Sequence, residues 1–268
     1  LQDQKINHLH LAGDISNDYH AVTVPFINLM RQYLPTTFHL GNHELLKMSQ
    51  KDIAAHPIQV YQLGGINLVT FDGWYDYTFC PEISLDQHLE NKARFWFDRQ
   101  FSRSQSDPAL TRDSIVAVKK VLDQLNGPVI VAMHVVPHSD FIMPDPEFGF
   151  LNAFLGSPAY NELFQHYPNI TDVVFGHAHW RKPSKIIDGI RYHLRPLGYV
   201  QEWQLTQDFI LMNPDYQIGD QRQIPQRYQL IKDLPTFQTY KAVNLYDEFL
   251  SAMTIYVKKR TKIKCSTK

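Results

Sequence analysis

Apolar positions along this chain fall into two patterns: short runs that end in glycine or histidine, and longer stretches with helical spacing. Residues 6–12 are a run of the first kind, closed by Gly13-Asp14, and predict a buried strand. Residues 18–33 have helical spacing, with Val22, Phe26, Leu29 and Met30 on one face, and Pro35 ends the pattern. A second strand is predicted over 36–40, ending at Gly41, and a short helix over 45–55. Residues 58–63 and 66–71 read as a hairpin turned at Gly64-Gly65.

From 72 to about 126 the pattern is less regular. Residues 73–77 form an aromatic loop, and helices are predicted over 89–101 and 114–125. Residues 129–133 are the clearest buried strand, running directly into His134. A long loop follows to about 149, then a helix over 159–166 and a strand over 171–175 ending at Gly176. A second hairpin, 185–187 with 190–194, turns at Asp188-Gly189. Past about 202 the pattern weakens to a helical stretch over 239–257 and a basic end.

Composition narrows the class without naming it. A 44 % hydrophobic and 20 % charged chain is ordinary for a globular protein with a sizeable core. A net charge of -1 supplies no basic field for long nucleic acid or an anionic membrane. No apolar run approaches the roughly 20 residues that span a bilayer. Cys80 and Cys265 are far apart and form no CxxC pair, so they read as free thiols of a cytoplasmic protein, with one long-range disulfide as the alternative.

Four pieces at predicted strand ends carry the chemistry: Gly13-Asp14, Gly41-Asn42-His43-Glu44, His134 and Gly176-His177-Ala178-His179. Loops at strand ends are where α/β proteins build their sites. A carboxylate at Asp14 can bridge two cations, or cap a helix. Asn42 offers an amide oxygen, or a left-handed turn. His43 is a ligand, an acid or a surface residue, and Glu44 caps the next helix or holds an imidazole from behind. His134 alone would be an ordinary hydrogen-bonded side chain. His177 and His179 can aim into one cleft, with Gly176 allowing close backbone approach. Taken together and in this order, the four pieces describe a cage for divalent metals.

As a set these motifs resemble the calcineurin-like metallophosphoesterase superfamily over about residues 6–199. They match its G-D, G-N-H-[DE], strand-end histidine and G-H-x-H blocks, and 195–199 looks like its closing strand. The resemblance implies a four-layer α/β/β/α sandwich with a two-metal site. It implies that Asp14 bridges both ions, that Asn42, His134 and His177 complete the second site, and that His179 belongs to the first. His43 would sit beside the phosphate as leaving-group acid or transition-state stabiliser, paired with an acidic neighbour. The implied reaction is hydrolysis of a phosphomonoester or phosphodiester by a hydroxide shared between the metals. Mixed nitrogen and oxygen ligands favour Mn, Fe or Zn over Mg or Ca.

One block is absent. The family's D-x-H motif precedes G-D by a few tens of residues, and Asp3-Gln4-Lys5 does not match it. The expectation is a catalytic domain over 1–201 lacking its first strand and helix, followed by an extension of unknown role over 202–268. His8 and His10 lie within the strand leading to Asp14 and do not replace the missing loop. The expected partner is a small phosphorylated or nucleotide substrate, read by the aromatic loop 74–79, the insertion 89–125 or the loop 135–149, where His138 and Asp140 lie. Trp74, Tyr75 and Tyr77 would stack a base or pack beneath the loop. A catalytically inactive binding or scaffold protein on the same fold competes with the enzyme reading; the missing block favours it, and the retained His43, Asn42 and His177/His179 oppose it. A structural-metal protein is disfavoured because structural zinc prefers cysteine-rich cages.

Overall fold

The computed structural model describes residues 6–219 and 223–257. The basic end and Cys265 lie outside the described residues, and Cys80 is a buried free thiol. Two sheets form. In the smaller, β1 (Leu9–Ala12) pairs in parallel with β2 (Thr36–His39). The larger has six strands: β3 (Gln59–Leu63), β4 (Ile66–Phe71), β5 (Val129–Met133), β6 (Ile170–Phe175), β7 (Lys185–Ile187) and β8 (Ile190–Leu194). Their spatial order is β3-β4-β5-β6-β8-β7, parallel through the centre, with the two hairpins placing antiparallel strands at both edges. Among the described residues β1 pairs with β2 alone.

Alternation along the central strands builds two apolar faces. Val69, Phe71, Val129, Val131, Met133, Val173 and Phe175 pack on helices α4 (Asp107–Leu122) and α5 (Ala159–Phe164). Leu68, Ile130 and Ala132 face the other way, with Tyr61 and Leu63. On that side the β1/β2 pair lies across Tyr61, which contacts His8 and His10. Helix α1 (Val24–Arg31) covers the small sheet from outside, so the layers run α/β/β/α.

Apart from the expected closing strand over 195–199, the strands match their predicted places, and the helices differ in phase and limits. Over 18–33 the chain makes a wide turn at Tyr19–Thr23 before α1. Thr23 and Ile27 face inward, whereas Val22, Phe26 and Leu29 of the predicted apolar face are exposed. The stretch 45–55 is a tight turn, Glu44–Lys47, then α2 (Gln50–Ala54), which Ser49 and Asp52 cap reciprocally. Helix α3 is Leu85–Phe95, started by the Ser84 cap, and a tight turn at Phe97–Gln100 follows. Residues 195–199 form no closing strand; β8 ends at Leu194. Beyond it, α6 (Gln204–Met212), α7 (Ile224–Ile231) and α8 (Pro235–Ser251) enclose their own apolar cluster around Trp203, Phe209 and Phe237. Among the described residues no helix is long and apolar enough to cross a membrane.

Candidate metal centre

Four loops converge where β1, β2, β5 and β6 end. Gly13 and Gly41 let the first two loops touch. A Cβ on Gly13 would meet Gly41 N at 2.6 Å, and one on Gly41 would meet Asp14 Oδ1 at 2.1 Å. Asp14, His177 and His179 all hold positive φ, at 55°, 65° and 63°. Non-glycine residues rarely adopt that conformation, and here it clusters on the predicted ligands.

Around one point four side-chain atoms meet, and three of them belong to groups whose other polar atom is already committed as a donor elsewhere. His134 Nδ1 donates to the Ala12 carbonyl at 3.1 Å, which turns Nε2 inward. His177 Nε2 donates to the Phe154 carbonyl at 3.0 Å, which turns Nδ1 inward. Asn42 Nδ2 donates to Asp98 at 2.7 Å, which leaves Oδ1 inward. Asn42 Oδ1, His134 Nε2 and His177 Nδ1 lie 3.0–3.1 Å apart, and Asp14 Oδ2 is 3.2 Å from His134. Asp14 Oδ2 is buried with no hydrogen-bond partner. Lone pairs converging on an orphaned carboxylate oxygen form a donor set that could hold a cation. Mixed imidazole, carboxylate and amide oxygen fits a divalent transition metal.

The electrostatics agree. Burial alone would lower the pKa of His134, but the Asp14 carboxylate outweighs it and pushes the imidazole up to about 9. Burial opposes ionisation of Asp14, yet the neighbouring imidazoles hold it below the carboxylate range. Burial, then the charge of His134, pushes His177 down to about 3.

A second cluster shares Asp14. One donor atom each from Asp14, His43 and His179 lies within 4.8 Å of the others. His43 Nδ1 sits 2.6 Å from Asn17 Oδ1, and its Nε2 lies 4.0 Å from the Asp14 carboxylate. Its ring stacks on Phe97 at 3.9 Å, and Nε2 faces the Tyr199 hydroxyl at 3.2 Å. His179 Nδ1 is 3.2 Å from Glu202.

Glu44 neither caps the turn it begins nor holds an imidazole. Its fully buried carboxylate accepts the backbone N–H groups of Asp14, Ile15, Ser16 and Gly41 at 2.6–3.0 Å. It therefore locks the Asp14 loop to the Gly41 loop. Burial and the Asp14 charge raise its carboxyl, and these amides pull the other way.

No protein-family model and no curated protein matches the sequence. Among solved structures, a phosphopantetheinyl hydrolase from Mycobacterium tuberculosis is similar with a TM-score of 0.58 and 21 % identity, over 79 % of this chain and 88 % of that one. A dimetal phosphatase from Danio rerio superposes more loosely, with a TM-score of 0.48 and 14 % identity over 72 % of this chain and 73 % of that one. The fold is that of the calcineurin-like metallophosphoesterases.

Within this metallophosphoesterase fold the motif residues come together, while the expected substrate loops largely do not open to the cleft. Trp74, Tyr75 and Tyr77 are buried in a core cluster with Leu40 and Phe154, so they stack no base. His138 accepts the Asp140 amide, and Asp140 pairs with Lys185, which makes them loop-fixing residues. His8 and His10 bond Thr37, and His10 also meets His39, away from the metal donors. The insertion does reach the site, through Phe97 on His43 and Trp96 on His177. Asn17, Asp98, Tyr199 and Glu202 were not anticipated. Only Asp98 carried a signal, as an acid directly after the aromatic run Phe95-Trp96-Phe97.

Proposed function

We propose that the chain is a metal-dependent phosphoesterase that hydrolyses a small phosphomonoester or phosphodiester. The convergence of Asn42, His134 and His177 on the orphaned Asp14 oxygen carries this reading. Asp14, Asn42, His134 and His177 would hold one divalent cation, and Asp14 with His179 a second. Bound cations would supply Lewis acidity toward phosphoryl oxygens and a water of lowered pKa.

The chain's own residues supply the rest. Glu44 and the paired glycines keep the Asp14 carboxylate in place, so little reorganisation accompanies reaction. Asn17 fixes the His43 ring with Nε2 toward the cleft. Burial holds His43 below its ordinary pKa, so in the free protein it accepts from Tyr199. A phosphoryl group beside it would bring the negative charge that favours the imidazolium, the form able to protonate a leaving oxygen. Phe97 shields this ring from water on one face.

The test is hydrolysis of nitrophenyl phosphate and bis-nitrophenyl phosphate after loading with Mn, Fe or Zn. Turnover lost in Asp14→Asn supports the proposal. Tight binding of metal without turnover of either ester, or of a wider panel including phosphopantetheinyl esters, would favour an inactive binding protein.

A further inference from the structure

We infer that Glu202 is a positioning residue for the first metal site: its carboxylate orients His179 and fixes the turn that brings Tyr199 onto His43. This rests on the metallophosphoesterase reading above and adds to it a group from beyond the last strand.

Three observations carry the inference. Glu202 lies 3.2 Å from His179 Nδ1, and the two side chains are only 26 % and 29 % exposed. A carboxylate accepting Nδ1–H leaves the opposite ring nitrogen, Nε2, as the lone-pair donor. The same carboxylate accepts the Tyr199 amide at 2.8 Å, while the Glu202 amide returns to the Tyr199 carbonyl at 2.7 Å. One side chain thus sets both the His179 ring and the backbone carrying Tyr199, whose ring packs edge-on to His179 at 4.8 Å. Finally, the turn is built tight. Gly198 has φ of +72°, and a Cβ there would meet Glu202 Oε2 at 2.9 Å and the His179 carbonyl at 3.3 Å. Trp203, buried in the C-terminal cluster, pins the Gly198 carbonyl through its indole N–H at 3.1 Å.

Among the described residues the first cluster has few donors besides Asp14 and His179. Its affinity should depend strongly on how well His179 is aimed. Carboxylates behind a ligating histidine typically contribute about 10–100-fold in metal affinity.

The experiment is Mn²⁺ titration followed by calorimetry and EPR on wild type, Glu202→Gln, Glu202→Ala and Glu202→Asp, with melting temperatures in EDTA alongside. The expected result is two ions in wild type, the weaker of them bound about 10–100-fold less tightly in Glu202→Gln and Glu202→Ala, the tighter one unchanged, and partial recovery in Glu202→Asp. Two ions bound as in wild type by all variants would overturn the role of Glu202 and leave the phosphoesterase reading standing. Equal weakening of both ions together with a lowered melting temperature in EDTA would make Glu202 a turn-fixing residue only, and would overturn it as well. A wild type that binds no Mn²⁺ would instead overturn the phosphoesterase reading, and this inference with it.

Discussion

Asn42 Oδ1 lies 3.0 Å from Nε2 of His134, although 92 residues separate them in the chain, and the other side of each group is already committed as a donor. Two acceptors at that distance need something positive between them. In this protein that is a proton on His134 or a cation in the cage, and the two compete.

The competition sets a pH dependence. The raised pKa of His134, about 9 against 6.5, gives stability that is complete below 6.5 and lost as pH rises through about 9. His177, His43 and His10 are shifted downward, so their contributions change only below 6.5. In EDTA the melting temperature should therefore fall between neutral pH and about 9, and His134→Gln should flatten that slope. Mn²⁺ affinity should rise over the same interval, because the cation displaces the proton. A wild-type curve in EDTA that is flat there would refute the pairing of His134 with Asp14.

Asp14 and His43 should separate metal binding from rate. Asp14 is common to both donor clusters, so Asp14→Ala should lose both ions by elemental analysis. His43→Ala should retain them and lose about 10²–10⁴-fold in kcat, the usual contribution of a positioned acid. If His43→Ala strips metal as fully as Asp14→Ala, His43 is a ligand and its assigned part in the reaction is wrong.

Asp98 acts through Asn42. It receives the Asn42 amide N–H at 2.7 Å and the Trp96 indole N–H at 3.1 Å, and it is almost fully buried. Holding the amide nitrogen, it turns the amide oxygen of Asn42 toward the cage. Asp98→Ala should weaken Mn²⁺ binding at the tighter site by about 10–100-fold. Calorimetry showing unchanged affinity would mean that the amide orientation is set by the metal donors alone.

The candidate metal-binding residues were legible in the sequence because each lies in the loop that follows a strand, where a local pattern fixes both the fold and the residue's position. Gly13-Asp14 and Gly176-His177 are examples: strand, glycine, ligand. Asn17 and Glu202 were illegible for the opposite reason. Each meets its histidine only through the packing of a loop that carries no periodic signal. Glu44 does stand behind a candidate ligand, Asp14, but it does so through four backbone amides, which no side-chain pattern announces. Over 18–33 the helical period was right and the phase wrong: Thr23 and Ile27 are buried, and the larger Val22, Phe26 and Leu29 side chains stay exposed. Helices α6 and α7 escaped notice because Asn213-Pro214 and Gly219 break the segment into pieces too short to show a period.

The C-terminal helices should prove inseparable from the site. Glu248 on α8 is 4 % exposed, accepts the Gln204 and Leu205 amides at the start of α6, and pairs with Arg181 at 2.5 Å. Arg181 also donates to the carbonyls of Pro196 and Leu197, on the loop leading to Tyr199 and Glu202. Removing one partner of a buried ion pair leaves the other charge uncompensated and typically costs about 3–5 kcal/mol. Arg181→Met should therefore lower the unfolding midpoint in urea and open the α6–α8 segment to limited proteolysis before the large sheet is cut. Because the same arginine holds the loop that leads into the Tyr199–Glu202 turn, the weaker Mn²⁺ site should be lost with it. Release of the helices with both metal sites intact would show that the segment after 202 is an independent appendage.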